Sequence, residues 1–225
     1  MKNGSYQALL YENKGIVIVI MSIVLSAVAR LRIFPTELIG IHLWRQTQTQ
    51  WNIRNFYRYS LDILNPRTAA LNEDFDNVVL LEFPIMQWLI AGVHFLSGGS
   101  DHIIITRISL FFISCLSVYG VYELLKLVYT SKGVAGIGSA FFCFYPLFYY
   151  YSINPIPDNF ALCCTIWFFV FLLKFNKSQV SYHLVLSSIF IALAVLSKLP
   201  FIVAGTGVLV FIYRDFRDKE YLRLI

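Results

Sequence analysis

The chain has 225 residues, 58% of them hydrophobic and only 14% charged, with a formal net charge of +5 and a mean hydropathy of +0.66. A soluble domain carries about 25% charged residues, so this composition excludes an ordinary water-facing globule, and lipid supplies the missing solvent. The positive charge does not make a nucleic-acid face either, because the Lys and Arg residues fall in short clusters beside apolar runs and act as topology signals.

The first apolar run, 15–34, follows Lys14 and ends in Arg30-Leu31-Arg32 without a small-x-small cleavage pattern. It is expected to be an uncleaved crossing helix rather than a signal peptide. The stretch 35–102 is expected to be one large loop. Within 40–59, at 100° per residue, Trp44, Trp51, Arg54 and Arg58 share one helical face. Such an aromatic and basic stripe suits the headgroup layer or the phosphate of a lipid substrate. Asn65-Pro66 breaks this segment, and Glu73, Asp74 and Asp76 follow as a patch with the character of a solvated turn. Glu82-Phe83-Pro84 then leads into the apolar run 84–96, which contains Gln87, Gly92 and His94. Crossing a bilayer takes about 20 residues, so this run is expected to be interfacial or re-entrant.

Five further crossings are expected over 103–129, 134–152, 159–175, 182–196 and 199–213, the last two being short. With the N-terminus in the cytoplasm, Lys2, Lys14, Lys126, Lys132, Lys174 and Lys177 lie inside, as do Arg214, Arg217, Lys219 and Arg223 of the tail. Every short inner connection is then basic, as the positive-inside rule requires, whereas counting 84–96 as a crossing would reverse each of these. The Tyr145, Tyr149, Tyr150 and Tyr151 cluster falls at the outer interface, where amphipathic rings are enriched. Cys115, Cys143, Cys163 and Cys164 lie within apolar runs, without CxxC spacing or a neighbouring His, and read as small core residues. The expected fold is therefore an all-α integral membrane protein with about six transmembrane helices, a single membrane domain over 1–225. Its first extracytoplasmic loop, 35–102, carries short membrane-lying helices, and 103–213 forms the helical bundle. The protein is expected to be multi-pass in the plasma (inner) membrane.

Five stretches form an ordered series: Trp44-Arg45-Gln46 with Arg54-Asn55-Phe56, then Glu82-Phe83-Pro84-Ile85-Met86-Gln87-Trp88-Leu89 and Arg107-Ile108-Ser109. Pro157-Asp158-Asn159 and Leu196-Ser197-Lys198-Leu199-Pro200 complete the series, which extends over roughly 38–215. This order of motifs resembles the C-type (GT-C) glycosyltransferases, in particular the protein mannosyltransferase and lipid A aminoarabinose transferase family. The resemblance implies transfer of a sugar from a polyprenyl-phosphate carrier to a protein, lipid or glycan at the outer membrane face, the chemistry of cell envelope glycosylation. Family members usually carry an Asp-Glu pair early in the first loop, where this chain reads Arg45-Gln46 with His42 just before. They are also typically about twice as long. The resemblance thus covers an N-terminal half, as a fragment, a truncated reading frame or a partner subunit would.

Displacing a lipid phosphate from an anomeric carbon needs a base for the acceptor and positive charge for the phosphate. Glu82, next to Pro84 at the outer interface, is the expected base, although a helix-terminal acid favoured by the dipole would look the same. Asp158 follows two prolines at a helix start, where an N-cap role suffices to explain it; the resemblance makes it a candidate for the sugar or for a divalent metal ion. Lys198 and Arg107 are candidates for the carrier phosphate, with Arg45, Gln46 and Arg54 adding loop contacts, although long basic side chains also snorkel at interfaces without function. His42 is a candidate base near the missing acid, whereas His94, His102 and His183 show no ligand spacing. The leading expectation is a membrane glycosyltransferase using a polyprenyl-phosphate-linked sugar donor, with no nucleotide-sugar or phosphate-loop motif and no nucleic-acid partner. The alternative is a non-catalytic or truncated lipid-binding partner subunit of the same fold. A transporter fits less well, because the middles of the expected crossings carry no charge.

Overall fold

The computed structural model describes residues 3–68, 78, 82–99, 102–209 and 213, with side chains from Lys14 onward. The acidic residues Glu73, Asp74 and Asp76 and the basic tail from Arg214 lie outside the described residues. Among those described the chain is all-helical, with no strand beyond one isolated bridge between Arg67 and Val78. Among the described residues eight α-helices follow one another: α1 (Asn3–Arg30), α2 (Leu43–Arg58), α3 (Ile85–Leu96), α4 (Ile103–Val128), α5 (Lys132–Phe144), α6 (Pro146–Tyr151), α7 (Pro157–Ser178) and α8 (Ser181–Ser197). A 3-10 segment, Leu199–Gly205, comes after α8.

The helices α4 and α7 are long and apolar enough to cross a membrane; at 1.5 Å per residue they extend about 39 and 33 Å, against a hydrocarbon core of about 30 Å. The run 84–96 forms only the 12-residue α3, about 18 Å long, too short to span. Its inner face buries Met86 and Ile90 against Ile53 and Phe56 of α2, while Leu89, Val93 and Leu96 face outward. The predicted stripe of α2 likewise stays out of the core: Trp44 and Arg58 are exposed and Trp51 and Arg54 half-buried.

The expected single helix over 134–152 is two helices. Pro146 has no N–H to donate and its ring bars the preceding residue from helical geometry. Tyr145 therefore turns extended (φ −59°, ψ 124°), α5 stops at Phe144, and Pro146 takes the first position of α6. Similarly, 199–213 begins as a 3-10 segment behind Pro200 rather than as an α-helix. Asp158 is not a cap: the N-cap of α7 is Ile156, with Pro157 and Asp158 in the first turn.

Two apolar clusters divide the core. One joins α2, α3, α4, α7 and α8 through residues such as Ile53, Met86, Leu110 and Phe160. The other joins α1, α4, α5 and α6 through Val19, Val118, Ala135 and Cys143. The α1–α5 crossing is close because both helices are glycine at the contact. A Cβ on Gly15 would collide with the Lys132 carbonyl, and one on Gly136 would lie 2.5 Å from the Gly15 carbonyl oxygen. Backbone cannot yield as a side chain can, and small residues are how membrane helices gain van der Waals contact. Gly136→Val is expected to destabilise the protein by about 3 kcal/mol through overpacking, lowering the midpoint of thermal unfolding in detergent by roughly 6–12 °C. A midpoint within about 2 °C of the wild type would contradict this account of the crossing.

The helix ends sort into two groups. At one end Lys132, at the start of α5, meets Gly15 midway along α1, Lys177 Nζ donates to the Leu127 carbonyl, and Lys126 and Lys174 flank Glu123 at 2.6 and 3.7 Å. At the other end, Arg30 reaches Tyr149, Arg107 reaches the 33–37 turn, and Lys198 reaches Glu82 and Asp158.

Candidate functional site

Four of the residues singled out in the sequence meet at this second end. Phe83 N–H donates to the Leu196 carbonyl at 3.1 Å, which fastens the chain entering α3 to the chain leaving α8. Lys198, released from helical geometry (φ −158°, ψ 104°), then points its ammonium between two carboxylates, 3.4 Å from Glu82 Oε1 and 3.4 Å from Asp158 Oδ2. The Arg45 guanidinium, in the first turn of α2, pairs with Glu82 Oε2 and donates to Gln48 Oε1 at 2.9 Å. The side chains are 18–43% exposed. At that exposure each pair adds at most about 1 kcal/mol to stability, so the arrangement does more for placement of charge than for folding.

Three of these groups, Arg45, Asp158 and Lys198, border a cavity of about 550 Å³. Its polar end holds His42, Arg45, Asp158, Asn159 and Lys198, and its long apolar wall includes Phe142, Phe148 and Leu162. Glu82 is not in the wall; it stands behind the two cations. His42 precedes α2 in the left-handed region (φ 59°), unusual for a residue with a side chain. Its ring lies 6.2 Å from that of Tyr151 across the polar end. The turn before it depends on Gly40 (φ 95°), where a Cβ would lie 2.6 Å from the Tyr150 hydroxyl oxygen. Buried Gln46 closes the same turn, its Nε2 donating to the Ile41 carbonyl at 2.8 Å, and the Tyr150 hydroxyl donates to that carbonyl at 3.1 Å.

Two sequence candidates lie elsewhere. Arg107, expected at the carrier phosphate, is 1% exposed and does not reach the cavity. Its guanidinium donates to the Ile33 carbonyl, to Thr36 Oγ1 at 2.7 Å and to the Glu37 carbonyl at 2.8 Å, clamping the turn that leaves α1. Carbonyls of a non-helical turn need donors in a low-dielectric setting, and they draw this cation inward. Arg54 lies over the Trp51 ring (5.0 Å) and borders a separate hollow of about 150 Å³. The divalent ion does not fit the described residues: each carboxylate of the site already faces a cation, and no three His, Cys, Asp or Glu side chains among them gather as a metal-holding group.

The sequence reading missed a buried polar brace behind the cavity. Arg30, 1% exposed, donates to Ser26 Oγ, to the Tyr149 carbonyl at 2.9 Å and to Ser152 Oγ at 2.7 Å, and stacks 3.6 Å over the Tyr149 ring. The Ser152 carbonyl in turn accepts from Ser114 Oγ at 2.7 Å and from Asn159 Nδ2 at 3.3 Å. Asn159 adjoins Asp158, so α1 is linked through the α6–α7 turn to the carboxylate of the site. Arg30 stands near the end of an apolar run, and only the tertiary structure supplies its acceptors.

Among the described residues an all-helical chain with two apolar helices of membrane length, and with opposed charges gathered at an apolar-walled cavity, suits a membrane protein. It belongs to the dolichyl-phosphate-mannose-protein mannosyltransferase family, whose model matches residues 82–220. That places it among the C-type glycosyltransferases. The match begins at Glu82 and includes Asp158 and Lys198, while His42, Arg45, Gln46 and Arg54 precede it. No curated protein and no solved structure matches the chain.

Proposed function

We propose that this protein transfers a sugar from a polyprenyl-phosphate carrier to an acceptor at the extracytoplasmic face of the plasma membrane. The observation that carries this is the juxtaposition of Lys198 and Arg45 with the end of the apolar cavity. An isoprenoid chain suits walls of Phe142, Phe148 and Leu162, and ionised donors at the cavity's polar end suit the phosphate that joins chain to sugar. Positive charge there opposes the negative charge that develops on the leaving phosphate, which is the largest single term in many transfer reactions. The dolichyl-phosphate mannose in the family's name makes a mannosyl carrier the first donor to try.

Six crossings accommodate this site: α1, α4, α5 with α6, α7, α8 and the segment from Leu199. The sorting of helix ends supports an up-and-down order in which the site end is extracytoplasmic and the Lys126–Glu123–Lys174 end, with the N-terminus, is cytoplasmic. Helices α2 and α3 then lie along the outer interface with Trp44, Arg58 and Leu96 toward headgroups and lipid. Arg45-Gln46 in place of an acidic pair favours a second reading, a lipid-binding partner subunit without turnover. The test separates the two. Membranes containing the protein are expected to consume radiolabelled dolichyl-phosphate mannose faster than membranes lacking it. Binding of the donor without consumption would leave the subunit reading, and neither binding nor consumption would remove both.

A further inference from the structure

We infer that the general base is Asp158, set free by the donor itself: the donor phosphate takes Lys198, and the released carboxylate accepts the proton of the acceptor. This rests on the donor reading above. The two carboxylates of the site are unequal in a way their sequence context does not reveal. Glu82 is held by both Arg45 and Lys198, its side chain is 18% exposed, and it is absent from the cavity wall. Among the described residues Asp158 pairs with one cation, Lys198; its side chain is 43% exposed, and it is part of the wall. A proton can be taken only by a group within reach of the acceptor, and Asp158 alone of the pair satisfies that.

Charge supplies the order of events. Arg45 and Lys198 balance Glu82 and Asp158, so an arriving phosphodiester brings a negative charge into a group that is neutral in sum. The ammonium of Lys198 cannot keep three anions equally close, and the partner with least to hold it is Asp158. Before the donor binds, Asp158 occupies the anion's place; afterwards it faces the cavity without its cation. The carboxylate released from its ion pair is then open to an acceptor hydroxyl in the cavity. The acceptor O–H then gives its proton to Asp158 Oδ2 while its oxygen bonds to the anomeric carbon. The bond from that carbon to the phosphate oxygen breaks with its electron pair on the phosphate. Polyprenyl phosphate leaves, its added charge held by Lys198 and Arg45, and Asp158 passes its proton to water. Glu82 is a positioning residue that aims the two cations.

The test uses the protein in lipid nanodiscs, with dolichyl phosphate as binding probe and labelled dolichyl-phosphate mannose as donor. Asp158→Asn is expected to bind dolichyl phosphate at least as tightly as the wild type while kcat falls by roughly 10²–10⁴. Added formate is expected to restore part of the turnover of Asp158→Ala, which a merely structural residue would not show. Glu82→Gln is expected to raise the donor KM about tenfold with kcat largely kept. Turnover by Asp158→Asn within about threefold of the wild type, or a kcat loss confined to Glu82→Gln, would overturn the assignment. Failure of the wild type to bind dolichyl phosphate is a separate result, which removes the donor reading and this inference together.

Discussion

Lys198→Ala is expected to lower kcat/KM for the lipid-linked donor by roughly 10²–10³, the loss typical when one preorganised donor to developing negative charge is removed. Folding is expected to change by no more than about 1 kcal/mol, because both of its ion pairs are partly solvated. The contrast between the two magnitudes is the test. Lys198 is the C-cap of α8, but it caps through its backbone N–H, which donates to the Ala194 carbonyl at 2.9 Å, so replacing the side chain leaves the helix hydrogen bonds intact. Lys198→Arg restores the charge and is expected to recover activity to within about tenfold, short of the wild type because a planar fork does not reproduce a compact ammonium between two carboxylates. Steady-state kinetics and a thermal melt of the same preparations check both halves. A melt that falls in step with activity would make Lys198 a structural residue.

Arg30→Ala is expected to act in the opposite proportion. The side chain is buried, and its removal leaves the Tyr149 carbonyl and Ser152 hydroxyl without their cationic donor and opens a cavity beneath Phe111 and Tyr149. Lost charge-assisted hydrogen bonds and lost packing together correspond to about 3–5 kcal/mol. Thermal unfolding in detergent reads this directly. Activity is expected to fall as well, because the Ser152–Asn159 link carries the displacement to Asp158. Arg30→Lys keeps the charge but reaches fewer acceptors and is expected to lie between. An Arg30→Ala protein as stable as the wild type would show that the brace is dispensable.

The residues differ in how openly the sequence displays their roles. Helix α4 was legible because 26 apolar-rich residues admit few other structures in lipid, and the brevity of α3 was legible from its length alone. The meeting of Glu82, Asp158 and Lys198 was not readable from periodicity; the family resemblance set them with Arg107 around a donor, and the structure brings the three together with Arg45 instead. The inequality of Glu82 and Asp158 was invisible, since both precede or begin a helix beside proline and differ only in what packs against them. Arg107 was misplaced for a related reason. A cation at the end of an apolar helix looks the same whether it reaches outward to a phosphate or inward to carbonyls, and the carbonyls it chose lie 70 or more residues away. The split at Tyr145 was signalled by Pro146 but hidden by unbroken apolarity, which reports burial and is silent about backbone direction.

That split has a consequence for the kind of carrier that fits. Tyr145 and Leu147, on either side of it, border the cavity and are still 57% and 58% exposed, so the chamber is a side-opening notch rather than a closed vault. With the polyprenyl-phosphate donor proposed above, such a notch is expected to grip the first few isoprene units and to leave the remainder of the tail among the surrounding acyl chains. Donors that share the junction between phosphate and hydrocarbon are then expected to serve alike, however long the hydrocarbon is.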